Sequence, residues 1–207
     1  MRAVLLLPPR PMLWPLRPTA SAAVSMSPRT VTIRHALLEG VTPEMLAWWY
    51  GHVPGTMEYA GGVYPRYLVW HPRDHVSYEV LGSADDAVGS GTRLRIVEAP
   101  QRDVGRLIDI RVTVGEISEA GAVIESRALG SNVVRLENAF EFASHGVRYV
   151  SRMKLGDDTL PGRLLLNRVA TQRAFPPGKL RAWIRHHVEE IGNLPNFLPD
   201  LFAAETH

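Results

Sequence analysis

The stretch "PPGKLRAWIRHHVEEIGN", residues 176–193, carries the reading on which the fold turns. Leu180, Trp183, Ile184, His187, Val188 and Ile191 recur at intervals of three and four, the period of one helix face. Gly192 is the expected helix stop. Upstream the period is two. "TRLRIVEA" (92–99), "GRLIDIRVTVGEI" (105–117), "AVIESRAL" (122–129), "NVVRLENAFEFAS" (132–144) and "VRYVSRMKLG" (147–156) alternate or nearly so. Short turn signals separate them, which argues an antiparallel meander. A curved antiparallel sheet with one long C-terminal helix packed on it is an α+β layer. The hollow between sheet and helix suits an apolar or aromatic ligand.

Nearer the start, "TPEMLAWWYGHV" (42–53) reads as a short helix, with Thr42 as N-cap and Pro43 at the first helical position. Residues 54–65 read as a loop, and "RYLVW" (66–70) as a strand ending at "HPRDH". Residues 1–28 are read as a disordered, proline-rich extension, with Met26 as an alternative start, and 29–207 as one domain.

Composition narrows the chemistry. Of 207 residues none is cysteine, so thiolate sites and disulfides are excluded, and a metal would need His, Asp or Glu. The net charge is +2, but residues 1–28 hold Arg2, Arg10 and Arg17 and no acid. Taking those three from the 23 basic residues leaves 20 against 21 acidic, so no nucleic-acid surface is expected. No run is apolar enough for a membrane span. Phosphate loops, dinucleotide fingerprints and nucleophile elbows do not occur.

Candidate ligands for a metal lie in three places. On the long helix, His186 with Glu190 (i, i+4) or His187 with Glu190 (i, i+3) share a face. "YLVWHPRDH" offers His71, Asp74 and His75. In "RLRIVEAP", alternation puts Glu98 on the same strand face as Leu94 and Ile96, a costly place for an unpaired carboxylate. A solvated helix face and a polar loop would account for the first two. His145 at a hairpin tip and Tyr149 in the next strand complete the polar inventory.

Together "TPEMLAWWYGH", "RYLVWHPRDHV", "RLRIVEAP", "GVRYVSRMKLG" and "RHHVEEIGNLPNFLP" resemble the 2,4-diacetylphloroglucinol hydrolase family, which includes phloretin hydrolase, over roughly residues 40–203. That resemblance implies a helix-grip fold of the START/Bet v 1 kind and hydrolysis of the carbon–carbon bond between a polyphenol ring and an acyl group. It implies one Zn2+ held by two His and two Glu, the last two spaced H-x-x-x-E, which His186 and Glu190 fit. Glu98 matches the strand ligand. The first ligand is His75 or His71; a family tyrosine stands eight residues before it, and Tyr67 stands eight before His75. Tyr67, His145 and Tyr149 match the residues that contact the phenol. The expected setting is the cytoplasm, with a small aromatic substrate and a homodimer as an option. The alternative is a carrier of an apolar or aromatic ligand without chemistry.

Overall fold

The computed structural model describes residues 22–27, 29–82, 88–128, 131–156 and 175–206. The five period-two segments are strands, β7 (Arg93–Glu98), β8 (Ile108–Ser118), β9 (Gly121–Ala128), β10 (Ser131–Ala143) and β11 (Gly146–Leu155), and a further strand, β6 (His75–Leu81), precedes them. They pair in chain order, each antiparallel to the next. Strand β2 (Thr30–His35) closes onto β11, and β1 (Ala22–Ser27) onto β2, giving the order β1-β2-β11-β10-β9-β8-β7-β6. The two-residue β3 (Leu38–Glu39) also pairs with β11. Register shifts in β6, β8 and β10 mark bulges, each of which bends its strand and curves the sheet.

Helix α3 (Pro177–Asn193) follows the sheet, as its period requires. Its Trp183 belongs to one core cluster with Val31, Ile33, Ile108, Leu136 and Met153, which joins the helix to strands from both halves of the sheet. Ile191 joins a second cluster with Trp49, Trp70 and Phe140. This is the helix-grip arrangement: a curved antiparallel sheet closed around a C-terminal helix. Helix α1 (Pro43–His52) starts where the cap signal places it, and the Thr42 hydroxyl accepts from the Met45 amide at 3.2 Å.

Four expectations need correction. The strand expected at residues 66–70 is a helix, α2 (Arg66–Trp70). All five of its residues are buried, so the segment has no polar face from which a period could be read. The loop at 54–65 contains a hairpin, β4 (Thr56–Tyr59) and β5 (Gly62–Pro65). Its two-residue turn, Ala60-Gly61, has positive φ at both positions (51° and 80°), the geometry that matches strand twist. Gly192 does not stop α3, which runs to Asn193; a 3-10 turn (Leu194–Asn196) and helix α4 (Leu198–Thr206) follow. The extension expected to be disordered ends in β1, because residues 22–27 have a pairing partner in β2; residues 1–21 and 28 lie outside the described residues.

Candidate metal centre

The first residue of β6 and the last of β7 face each other: His75 is paired with Glu98. Helix α3 crosses nearby and brings His186 and Glu190 on adjacent turns. Four side chains from distant parts of the chain therefore meet. The imidazole Nε2 of His75 lies 3.1 Å from Glu190 Oε2. His186 Nε2 lies 3.8 Å from that oxygen and 3.5 Å from Glu98 Oε2. Ligand atoms of His75, His186 and Glu190 all fall within 4.8 Å of one another.

The opposite end of each side chain is already occupied. His75 Nδ1 contacts the carbonyl of Tyr67 at 2.6 Å, and a carbonyl only accepts, so Nδ1 carries the proton. Eight residues separate the two, and their rings stack in parallel with centroids 3.7 Å apart. His186 Nδ1 faces Asp74 Oδ2 at 3.4 Å, and the same reasoning protonates it. The Tyr67 hydroxyl donates to Glu98 Oε1 at 3.3 Å. His187 Nδ1 meets Glu190 Oε1 at 2.5 Å. The Nε2 atoms of His75 and His186 and Oε2 of Glu190 thus converge, and Glu98 Oε2 approaches them beside His186. Outer partners that fix ring orientation in this way accompany metal-bound histidines.

Among the described residues, His186 Nε2 and Glu98 Oε2 are buried and make no hydrogen bond. Two carboxylate oxygens and two imidazole lone pairs converging in an apolar interior repel one another unless positive charge sits among them. The ionisation directions carry the same message. Burial favours neutral Glu190, but the adjacent imidazoles of His187 and His75 pull its pKa well below the ordinary carboxylate value. Burial likewise raises Glu98, and the neighbouring His186 outweighs it downward. Burial opposes a charged His186, yet Glu98 and Asp74 hold its pKa well above the usual imidazole value. The site asks for a cation, and a divalent ion with N2O2 donors meets that demand as well as a proton does.

Neighbouring residues resolve the alternatives that spacing left open. His187 is turned away from the centre: Nε2 meets Ser151 Oγ at 2.6 Å, and its ring stacks on Trp183. His71 accepts from the Asp74 amide through Nδ1 at 3.1 Å, so Nε2 holds its proton and faces Glu189 at 3.3 Å. Burial, then the nearby His186, push the His71 pKa down to about 4. Glu189 also binds Arg185 and Arg73. His71, Asp74 and His186 also lie close enough to share an ion, but Asp74 serves His186 from behind.

Between sheet and helix lies a cavity of about 100 Å³, well beyond the roughly 10–15 Å³ one water needs on the same measure. Glu98, Glu190, Tyr67 and His187 line it on the metal side. Ile96, Ile108, Ile124, Leu136, Met153 and Trp183 make much of the remaining wall. Tyr149 is fully buried behind that wall and meets the hydroxyl of Tyr50, a lining residue, at 2.5 Å. His145 is not brought to the site. The β10–β11 register ends at Ala143–Gly146, which leaves His145 exposed in the two-residue turn, away from the cavity lining.

Sequence reasoning missed Tyr50 and Asn138, both cavity-lining. Asn138 had a signal: it interrupts the inward row Val134, Leu136, Phe140 of β10, all buried.

No family model matches the chain, and no curated protein matches it. Among solved structures, protein Ms6760 from Mycobacterium smegmatis has a TM-score of 0.47 at 11% identity, covering 89% of this chain and 98% of its own. The KanY protein has a TM-score of 0.46 at 16% identity, with coverages of 86% and 97%. Ara h 8.0201 has a TM-score of 0.39 at 18% identity, with coverages of 77% and 96%. These likenesses carry no argument about activity or ligand. No helix among the described residues is long and apolar enough to cross a membrane.

Proposed function

We propose that this protein is a zinc-dependent hydrolase that cleaves the carbon–carbon bond between a polyphenol ring and an acyl group. One observation carries the reading: His75, His186 and Glu190 turn one donor atom each to a common point, Glu98 Oε2 lies 3.5 Å from His186 Nε2, and the other polar atoms of the four are held by Tyr67, Asp74 and His187. A zinc ion held there supplies Lewis acidity, polarising an acyl oxygen and acidifying water.

The chain's own residues do the rest. The apolar wall takes the ring and keeps bulk water out, which strengthens every charge interaction inside. In the net reaction water's oxygen ends on the acyl carbon and a proton ends on the ring carbon. Hydroxyls ortho and para to that carbon let the ring leave as a stabilised anion or keto tautomer. Tyr67 and His187 are the proton-bearing groups that line the cavity beside the carboxylates. Burial and the adjacent Glu98 push the Tyr67 pKa well up, so it stays a phenol that donates and does not become a base.

A carrier without chemistry would explain the apolar wall but gives no reason to bury two carboxylates, Glu98 and Glu190, against the imidazoles of His186 and His75 at one end of it. The test is an assay with monoacetyl- and diacetylphloroglucinol beside aryl esters of similar size. Release of the deacylated ring and acetate, abolished in Glu190→Ala, is the expected result. Cleavage of esters alone would move the reading to an esterase; cleavage of neither would favour the carrier.

A further inference from the structure

Asn138 lies on β10 in a row that otherwise points apolar side chains inward, and it is 5% exposed. Its Nδ2 donates to the Tyr50 hydroxyl at 3.4 Å. Its Oδ1 is buried and has no hydrogen-bond partner among the described residues, and Asn138 lines the cavity together with Tyr50. Tyr50 is held in turn, its hydroxyl against Tyr149 at 2.5 Å and its ring stacked on Phe140 with planes 12° apart. The amide is therefore held through Nδ2 and leaves its Oδ1 without a partner among the described residues. A buried acceptor left unmade costs stability, and Leu in its place would fill the row without that cost. An acceptor kept at such a position is satisfied by something that enters the cavity.

We propose that Asn138, oriented by Tyr50, recognises a hydroxyl donor on a ring-shaped ligand bound in the cavity. The proposal rests on the reading above for the ligand class, a hydroxylated aryl ketone. It deepens that reading by assigning one ring hydroxyl to Asn138 Oδ1, so that ring contacts come from β10 and α1 as well as from Tyr67. An ether oxygen at the same ring position accepts but cannot donate, and would face Oδ1 as a second acceptor. Discrimination between hydroxyl and methoxyl is therefore the signature of this subsite.

The experiment measures dissociation constants of 2,4,6-trihydroxyacetophenone, 4-hydroxyacetophenone and 4-methoxyacetophenone by titration of tryptophan fluorescence, using protein as purified. Wild type is expected to prefer 4-hydroxy- over 4-methoxyacetophenone by roughly tenfold, the worth of one buried hydrogen bond. In Asn138→Leu that ratio should fall below about twofold while the melting temperature holds or rises. An unchanged ratio in Asn138→Leu, or none in wild type, overturns the proposal. Should Asn138→Leu fail to fold, Tyr50→Phe replaces it: the ratio should drop at least about threefold, and an unchanged ratio overturns the proposal equally. Deacylation of the trihydroxy compound is followed in the same samples. A preserved ratio with no cleavage sinks the hydrolase reading and leaves the subsite; cleavage with no discrimination sinks the subsite alone.

Discussion

Asp74 shows how much depends on side chains that would never touch a substrate. It is 1% exposed and holds His186 Nδ1, while hydrogen bonding to His186 and the charges around it overcome burial and keep its pKa far below the ordinary carboxylate value. Asp74→Asn leaves the fold in place but weakens the acceptor that orients His186. Metal affinity, read by competition with a chromogenic chelator, should fall about 10- to 100-fold. His35 contributes to the acid response of the fold. Burial, then His187, push its pKa down from 6.5 to about 3. Between those values the unfolded chain binds the proton and the folded chain does not, so the contribution is complete above pH 6.5 and is lost as pH falls toward 3. From pH 7.5 to pH 5 it amounts to at most about 2 kcal/mol. His35→Gln should flatten the fall in the urea midpoint over that window; an unchanged slope would remove His35 from the account. Glu98 was legible in sequence because alternation put a carboxylate on an apolar face. The hairpin-tip position of His145 was legible too, but not that it stands away from the cavity lining, because no local pattern states where a turn lies relative to the closed sheet.

Elements succeed or fail by whether they have a polar side. Strands β7 to β11 and helix α3 have one, so their periods could be read from the chain. Helix α2 has none, and its identity came only with the structure. Its place is held by α3: Asn193 Nδ2 donates to the carbonyls of Val69 and Trp70 at 3.3 and 2.9 Å, and Trp70 Nε1 donates to the Glu190 carbonyl at 2.9 Å. These bonds tie the segment leading into His75 to the helix that carries His186 and Glu190, which accounts for the Asn in "EEIGNLPN". Asn193→Ala leaves two buried carbonyls without this donor. A loss of about 1–3 kcal/mol is expected in chemical denaturation. For comparison, Thr42→Ala removes only the α1 cap and should cost about 1 kcal/mol, with metal content untouched.

For the whole molecule, the sheet and α3 are one device that brings β6, β7 and α3 to one end of an apolar cavity. The order β1-β2-β11 was not read from the sequence, because β2 pairs with β11 across more than a hundred residues and no local pattern states such a pairing. A ligand that binds only the folded chain stabilises it by mass action. A bound ion at this centre should therefore make the melting temperature fall on chelation and recover on adding zinc, in wild type but not in His186→Ala. The most direct measurement is elemental analysis of the purified, dialysed protein. The account expects about one zinc per chain in wild type and little in His75→Ala, Glu98→Ala or Glu190→Ala. A fully folded wild-type chain that carries no metal and takes up no divalent ion on titration would contradict it.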